Sequence, residues 1–93
     1  MVPRGALAKW GFVVMFYVYI LRSEKDNSKY IGVTSDLKRR VIEHNSGNAK
    51  YSSTKLPYKL IWYCAFTEKT KAYSFEKYLK SSSGYAFANK RFI

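Results

Sequence analysis

Cysteine is nearly absent. Cys64 is the only one in 93 residues, which excludes an internal disulfide and any multi-cysteine metal site and fits a reducing compartment. Carboxylates are scarce too: six Asp and Glu stand against 17 Lys and Arg, a formal charge of +11. Such an excess attracts polyanions, so nucleic acid is the first partner to test, although basic charge also serves solubility. After Gly47 nine basic residues accompany only Glu68 and Glu76, so a buried carboxylate there needs a reason. Long apolar runs are missing as well. Phe12 to Leu21 is about half the length that spans a bilayer, and no small-residue cleavage site follows it, which gives a soluble, cytoplasmic protein with no membrane partner. Aromatic residues are plentiful, at 18% with nine Tyr, and 47% of residues are hydrophobic. That is enough apolar surface for one folded core, and the length leaves no room for a second domain.

Residues 1–14 show no clear period and read as an N-terminal extension, a tag remnant or start-site artefact; Val2-Pro3-Arg4-Gly5 resembles part of an engineered protease site, and Phe12 to Val14 could instead lengthen the first strand. Residues 15–93 are then the domain. Met15 to Leu21 has the aromatic and β-branched content of a strand covered on both faces. Asp26-Asn27 supplies turn chemistry, and Lys29 to Thr34 resumes as a second, antiparallel strand. If Tyr19 or Leu21 faces Tyr30, the pleat puts Phe16, Val18, Ile20, Ile31 and Val33 on one face and Tyr17, Tyr19, Tyr30 and Gly32 on the other.

Thr34, Ser35 or Asp36 can cap a helix running to about Asn45, with Gly47 as its stop. At ~100° per residue, Leu37, Arg40, Val41 and His44 share its inward face, while Lys38, Arg39 and Glu43 point elsewhere. Gly47 to Pro57 is a basic loop that could touch a phosphate backbone, and Lys59 to Phe66 is a third strand holding Cys64 as core filler. Thr67 or Thr70 opens a helix to about Lys80 whose inward stripe is Ala72, Phe75, Glu76 and Leu79. Ser81 to Gly84 breaks it, and Tyr85 to Phe92 closes the chain with Phe87 and Phe92 as anchors.

Tyr19, Tyr30, Arg40, His44 and Glu76 therefore point inward by pattern alone. Singly each has an ordinary use: tyrosines pack, a histidine hydrogen-bonds in the core, and Arg40 can pair with Glu76 as a structural ion pair. Together, phenols, a guanidinium, an imidazole and a carboxylate are the parts of a metal-assisted phosphodiester hydrolysis site. Gly32 is either space for an approaching phosphate on the tyrosine face or a bulge or tight packing.

Tyr17-Val18-Tyr19, Tyr30-Ile31-Gly32, Leu37-x-x-Arg40-x-x-x-His44 and a later helix with Glu76 resemble the GIY-YIG nuclease domain, and most resemble its small stand-alone bacterial branch. The resemblance covers Met15 to about Ile93. It implies a small α/β (α+β) fold, a three-stranded, mainly antiparallel sheet flanked by two or three helices. It also implies a divalent-metal-dependent endonuclease acting on DNA, in DNA repair or recombination. Tyr19 would activate or position the attacking water with help from Tyr30, and Arg40 would stabilise phosphate charge. His44 would relay a proton or hold the leaving side, and Glu76 would bind one Mg²⁺ or Mn²⁺. The first motif departs from the family pattern at Tyr17 and Val18. Val33 stands where some relatives carry Lys, and Asn89 could be the late Asn the family uses. A phenol with an ordinary pKa near ~10 is a poor base at pH 7, so Tyr19 needs a cationic neighbour or metal-linked water. The alternative is a non-cleaving nucleic-acid-binding module with the same basic surface. So small a domain also suggests a homodimer or a delivery partner.

Overall fold

The computed structural model describes residues 14–46 and 55–91, with the side chain of Arg91 left out. Strands β1 (Phe16–Ser23), β2 (Lys29–Thr34) and β3 (Tyr58–Phe66) and helices α1 (Leu37–Asn45), α2 (Lys69–Lys80) and α3 (Ser82–Arg91) follow in the order β1, β2, α1, β3, α2, α3. The sheet order is β2-β1-β3 and both pairings are antiparallel. The strand expected to be covered on both faces is the central one. The expected α+β architecture is present, as are three helices among the described residues.

Register follows the sequence pattern. Tyr19 pairs with Gly32 and Leu21 with Tyr30, so residues directly opposite share a face. Phe16, Val18, Ile20, Ile31 and Val33 pack with Ala72, Phe75, Leu79 and Ala88 under α2 and α3. Tyr19, Leu21, Tyr30, Leu37, Val41, Tyr58 and Leu60 form a second cluster under α1. A register shift between Ile20 and Leu21 sets Ile20 opposite Trp62 and Leu21 opposite Leu60. The extra residue, Ile61, joins Trp62 on the α2 side, and Tyr58 and Leu60 thereby return to the tyrosine face. Cys64 is core filler in the first cluster, and burial pushes its thiol pKa up.

The β1–β2 loop is built on Ser23, which is fully buried. Its Oγ donates to the Lys55 carbonyl at 2.7 Å and accepts from the amides of Lys25 and Asp26. The expected Asp26-Asn27 turn is present: Asn27 takes a left-handed φ of 63°, and Asp26 Oδ1 accepts from the Ser28 amide at 2.9 Å. Ser28 and then Lys55 hold the Asp26 carboxyl well below the usual carboxylate range.

Asp36 caps α1 by accepting from the Arg39 amide at 3.1 Å. At the other end Ser46 is the cap; the stop assigned to Gly47 and most of the basic loop that follows it lie outside the described residues. Helix α2 starts at Lys69 after Glu68, which makes no side-chain cap, so neither Thr67 nor Thr70 caps it. The break after α2 is one residue wide rather than four. Ser81 is extended, and its Oγ accepts from the Gly84 amide at 3.2 Å, so α3 begins at Ser82 and not at Tyr85. Gly84 is required at this corner, since a Cβ there would collide with the Tyr78 carbonyl oxygen. That close approach buries Gly84 and Ala88 instead of Phe87, which is 40% exposed against Tyr78. Phe92 lies outside the described residues.

Candidate active site

Helix α1 crosses the tyrosine face from the end of β2 to the start of β3. Its inward residues Leu37 and Val41 pack on the sheet, and one turn later His44 enters a ring of aromatic side chains. The imidazole is 3% exposed. Its centroid lies 4.5 Å from that of Tyr30, 6.2 Å from Tyr19 and 6.0 Å from Tyr58. His44 Nε2 is 3.4 Å from the Tyr19 hydroxyl. The structure thus brings Tyr19, Tyr30 and His44 together.

The Tyr19 ring is fully buried and lies across Gly32, whose Cα faces it with no side chain between. A Cβ at Gly32 would stand 2.5 Å from the Tyr19 oxygen. Of the two uses expected for Gly32, tight packing is the one seen: the missing side chain is space for Tyr19's own phenol.

Arg40, from the same helix, faces the Tyr19 hydroxyl, and hydrogen bonding between the two side chains, with electrostatic attraction to the ionised phenol second, lowers the phenol's pKa and raises that of the guanidinium. Desolvation is the larger effect on Tyr19, with Tyr30 and Glu76 adding to it, so its pKa is pushed up to about 12. The cationic neighbour is present, but burial outweighs it, and Tyr19 stays protonated at neutral pH. The Arg40 side chain is 43% exposed and its Nη1 sits 3.7 Å from Glu43, while Nε is buried with no hydrogen-bond partner. Glu43 also meets Arg39 at 3.2 Å; it therefore stands beside the site rather than pointing away from it.

Glu76 is on α2, which packs on the opposite face of the sheet from Tyr19. The helical stripe is as expected, with Ala72 and Leu79 fully buried and Glu76 19% exposed at its margin. Its charge reaches Tyr19, but its ion pair is with Lys80 at 3.5 Å. Among the described residues Arg40 and Glu76 do not pair, so the structural ion pair between them is not formed. Asn89 does not join the group either: its Oδ1 accepts from Lys29 Nζ at 3.1 Å on the α3 side. No group of three or more His, Cys, Asp or Glu able to hold a metal occurs among the described residues.

Two residues that the sequence pattern does not single out complete the site. Asn45 clasps β3 through two hydrogen bonds, Nδ2 to the Tyr58 carbonyl at 3.0 Å and the Tyr58 amide to Oδ1 at 2.7 Å. The clasp pins the last turn of α1, hence His44, to the sheet. Tyr58 closes the far side of the imidazole. The only sequence signal for either is adjacency, Asn45 after His44 and Tyr58 at the head of β3.

Burial first, and Arg40 second, hold the His44 pKa below its ordinary 6.5, with Glu43 opposing. Between 6.5 and the folded value the unfolded chain binds more protons than the folded one, so stability is lost as pH falls through that window. Thermal melts are expected to show Tm falling between about pH 7 and about pH 5 in the wild type and a flatter profile in His44→Gln. Equal pH dependence in the two proteins would rule out His44 as the source.

The GIY-YIG catalytic domain family matches residues 15–90. A UPF0213 protein of Streptococcus pneumoniae strain TIGR4 is 48% identical over 65 residues, 69% of this chain and 65% of its own length. The chain thus spans just under two thirds of that relative. A UPF0213 protein of Clostridium perfringens is 45% identical over 67 residues, 71% of each chain. The solution NMR structure of the UPF0213 protein BH0048 from Bacillus halodurans has a TM-score of 0.52 at 34% identity, covering 84% of this chain and 86% of that one. No helix among the described residues is long and apolar enough to cross a membrane.

Proposed function

The chain belongs to the GIY-YIG catalytic-domain family, and from that premise we propose that it is an endonuclease hydrolysing DNA phosphodiester bonds with a divalent metal, Mg²⁺ or Mn²⁺, in repair or recombination. The observation that carries the reading is the meeting of the Tyr19 hydroxyl, the buried His44 and an Arg40 whose Nε is desolvated and unpartnered. A buried donor without an acceptor is unfavourable by roughly 1–3 kcal/mol. A phosphate oxygen would satisfy it.

Glu76 fits a Mg²⁺ ion held through one carboxylate with water and phosphate oxygens in the other positions. Its donor set is a single, largely buried carboxylate, and Lys80 would have to yield to the ion. Bound there, such an ion would supply charge neutralisation on the phosphate and would lower the pKa of its water.

The remaining chemistry belongs to the chain's own side chains. Tyr19 enters the reaction protonated, as its pKa of about 12 requires. It can take a proton from the attacking water only by passing its own to the neutral His44 Nε2 beside it, and the 3.4 Å separation would tighten in the substrate complex. Tyr30 packs against the imidazole at an inclined angle, ring centres 4.5 Å apart, and holds its plane. Arg40 presents its planar fork to the nonbridging oxygens, where negative charge grows.

Purified protein is expected to nick plain, flapped or branched DNA in Mg²⁺ or Mn²⁺ and to stop in chelator. Binding without cleavage under every metal would leave the non-cleaving nucleic-acid-binding module in its place.

A further inference from the structure

The face of the sheet opposite the tyrosine site carries a row of three cations, one from each strand. Arg22 on β1 pairs with Lys29 on β2 and with Lys59 on β3. Neighbouring strands lie about 4.8 Å apart, and like charges directly opposite one another are destabilising. Five other cations among the described residues have carboxylate partners: Lys55 with Asp26, Lys71 with Glu68, Lys80 with Glu76, Arg39 and Arg40 with Glu43. Among the described residues no carboxylate pairs with Arg22, Lys29 or Lys59.

Two further observations show that this row is more than a solvated patch. The Nε of Arg22 is buried and has no hydrogen-bond partner, a state shared with Arg40 in the candidate active site and with no other buried side-chain nitrogen or oxygen among the described residues. Lys29 is held by α3, its Nζ 3.1 Å from Asn89 Oδ1, 3.5 Å from the Tyr85 hydroxyl and 5.5 Å from the centre of the Tyr85 ring. These neutral partners orient the ammonium without cancelling its charge. We propose that Arg22, Lys29 and Lys59 form a second phosphate-binding site, on the reverse face of the sheet, for a nucleic-acid backbone phosphate or a small free phosphate.

The site does not require cleavage on the other face. Lys29 and Tyr30 are consecutive on the edge strand β2 and point to opposite faces, so one nucleic-acid strand passing round that edge could touch both.

The test follows the Arg22 Nε–Hε resonance by NMR while inorganic phosphate or pyrophosphate is added, with chloride at matched ionic strength as control. In parallel, the salt dependence of affinity for a DNA oligonucleotide is measured in chelator for wild type, Arg22→Gln and Lys59→Ala. A saturable shift of Arg22 with phosphate and not with chloride is expected, together with a log–log salt slope smaller by about 1 in Lys59→Ala. The shift with unchanged slopes assigns the site to small phosphates and still supports it. An Arg22 resonance that stays still with phosphate, pyrophosphate and oligonucleotide overturns the proposal. Because the readout is Arg22 itself, an absence of nuclease activity neither mimics nor masks that result.

Discussion

Arg40→Ala is expected to slow DNA cleavage by about 10²–10³-fold while leaving the melting temperature within a few degrees of wild type. The side chain is 43% exposed and its ion pair with Glu43 is 3.7 Å long, an arrangement worth about 0–1 kcal/mol after solvent screening. Removing Arg40 also removes a buried nitrogen that has no partner, which favours the folded state. The site nevertheless loses the cation that lowers the Tyr19 pKa and helps to lower that of His44. Both therefore move up in the variant, and any residual activity has its pH profile displaced to higher pH. Arg40→Lys should not rescue, because an ammonium cannot present two parallel donors to a phosphate. Glu76→Ala is the companion: its only ion pair among the described residues is a 3.5 Å i,i+4 contact with the half-exposed Lys80, worth little to stability, so activity and metal response should go while the fold stays. A protein that melts several degrees lower and still cleaves at the wild-type rate would return these residues to a structural role.

The sheet was legible because strand alternation is a two-fold pattern: Tyr19, Tyr30 and Gly32 share a face in the register observed, and a one-residue slip would part them. Helical phase likewise put Arg40 and His44 toward the sheet. What phase cannot supply is distance across the molecule. Glu76 faces inward on its helix as expected, yet that helix packs on the far side of the sheet, so it acts on Tyr19 through its field and not by contact. The Ser-rich segment after α2 misleads for a local reason. Composition marks Ser81 to Gly84 as a breaker, but Ser81 caps the next helix and Gly84 is demanded by the Tyr78 carbonyl, so three of the four residues belong to α3. Asn45 is invisible in the pattern because its clasp joins two backbones whose meeting is purely tertiary.

Gly32→Ala should lower stability by about 1–3 kcal/mol and cleavage by about 10²-fold or more. The added Cβ would stand 2.5 Å from the Tyr19 oxygen, 2.7 Å from Cζ and 3.1 Å from Cε1. A flexible tip could swing aside, but this ring is fully buried among Leu21, Tyr30 and His44. The strain must therefore displace the ring or part β1 from β2, and either movement draws the hydroxyl away from His44. A glycine that only cleared the way for phosphate would behave differently, losing activity at unchanged Tm. The two cases separate most sharply in the Tyr19→Phe background, where the 2.5 Å contact is gone and only the ring contacts remain. Gly32→Ala should then be less destabilising than in the wild type, a non-additivity measurable by denaturant unfolding of the four proteins. Strict additivity would mean that Gly32 and Tyr19 act independently, and the phenol would lose its defined place over β2.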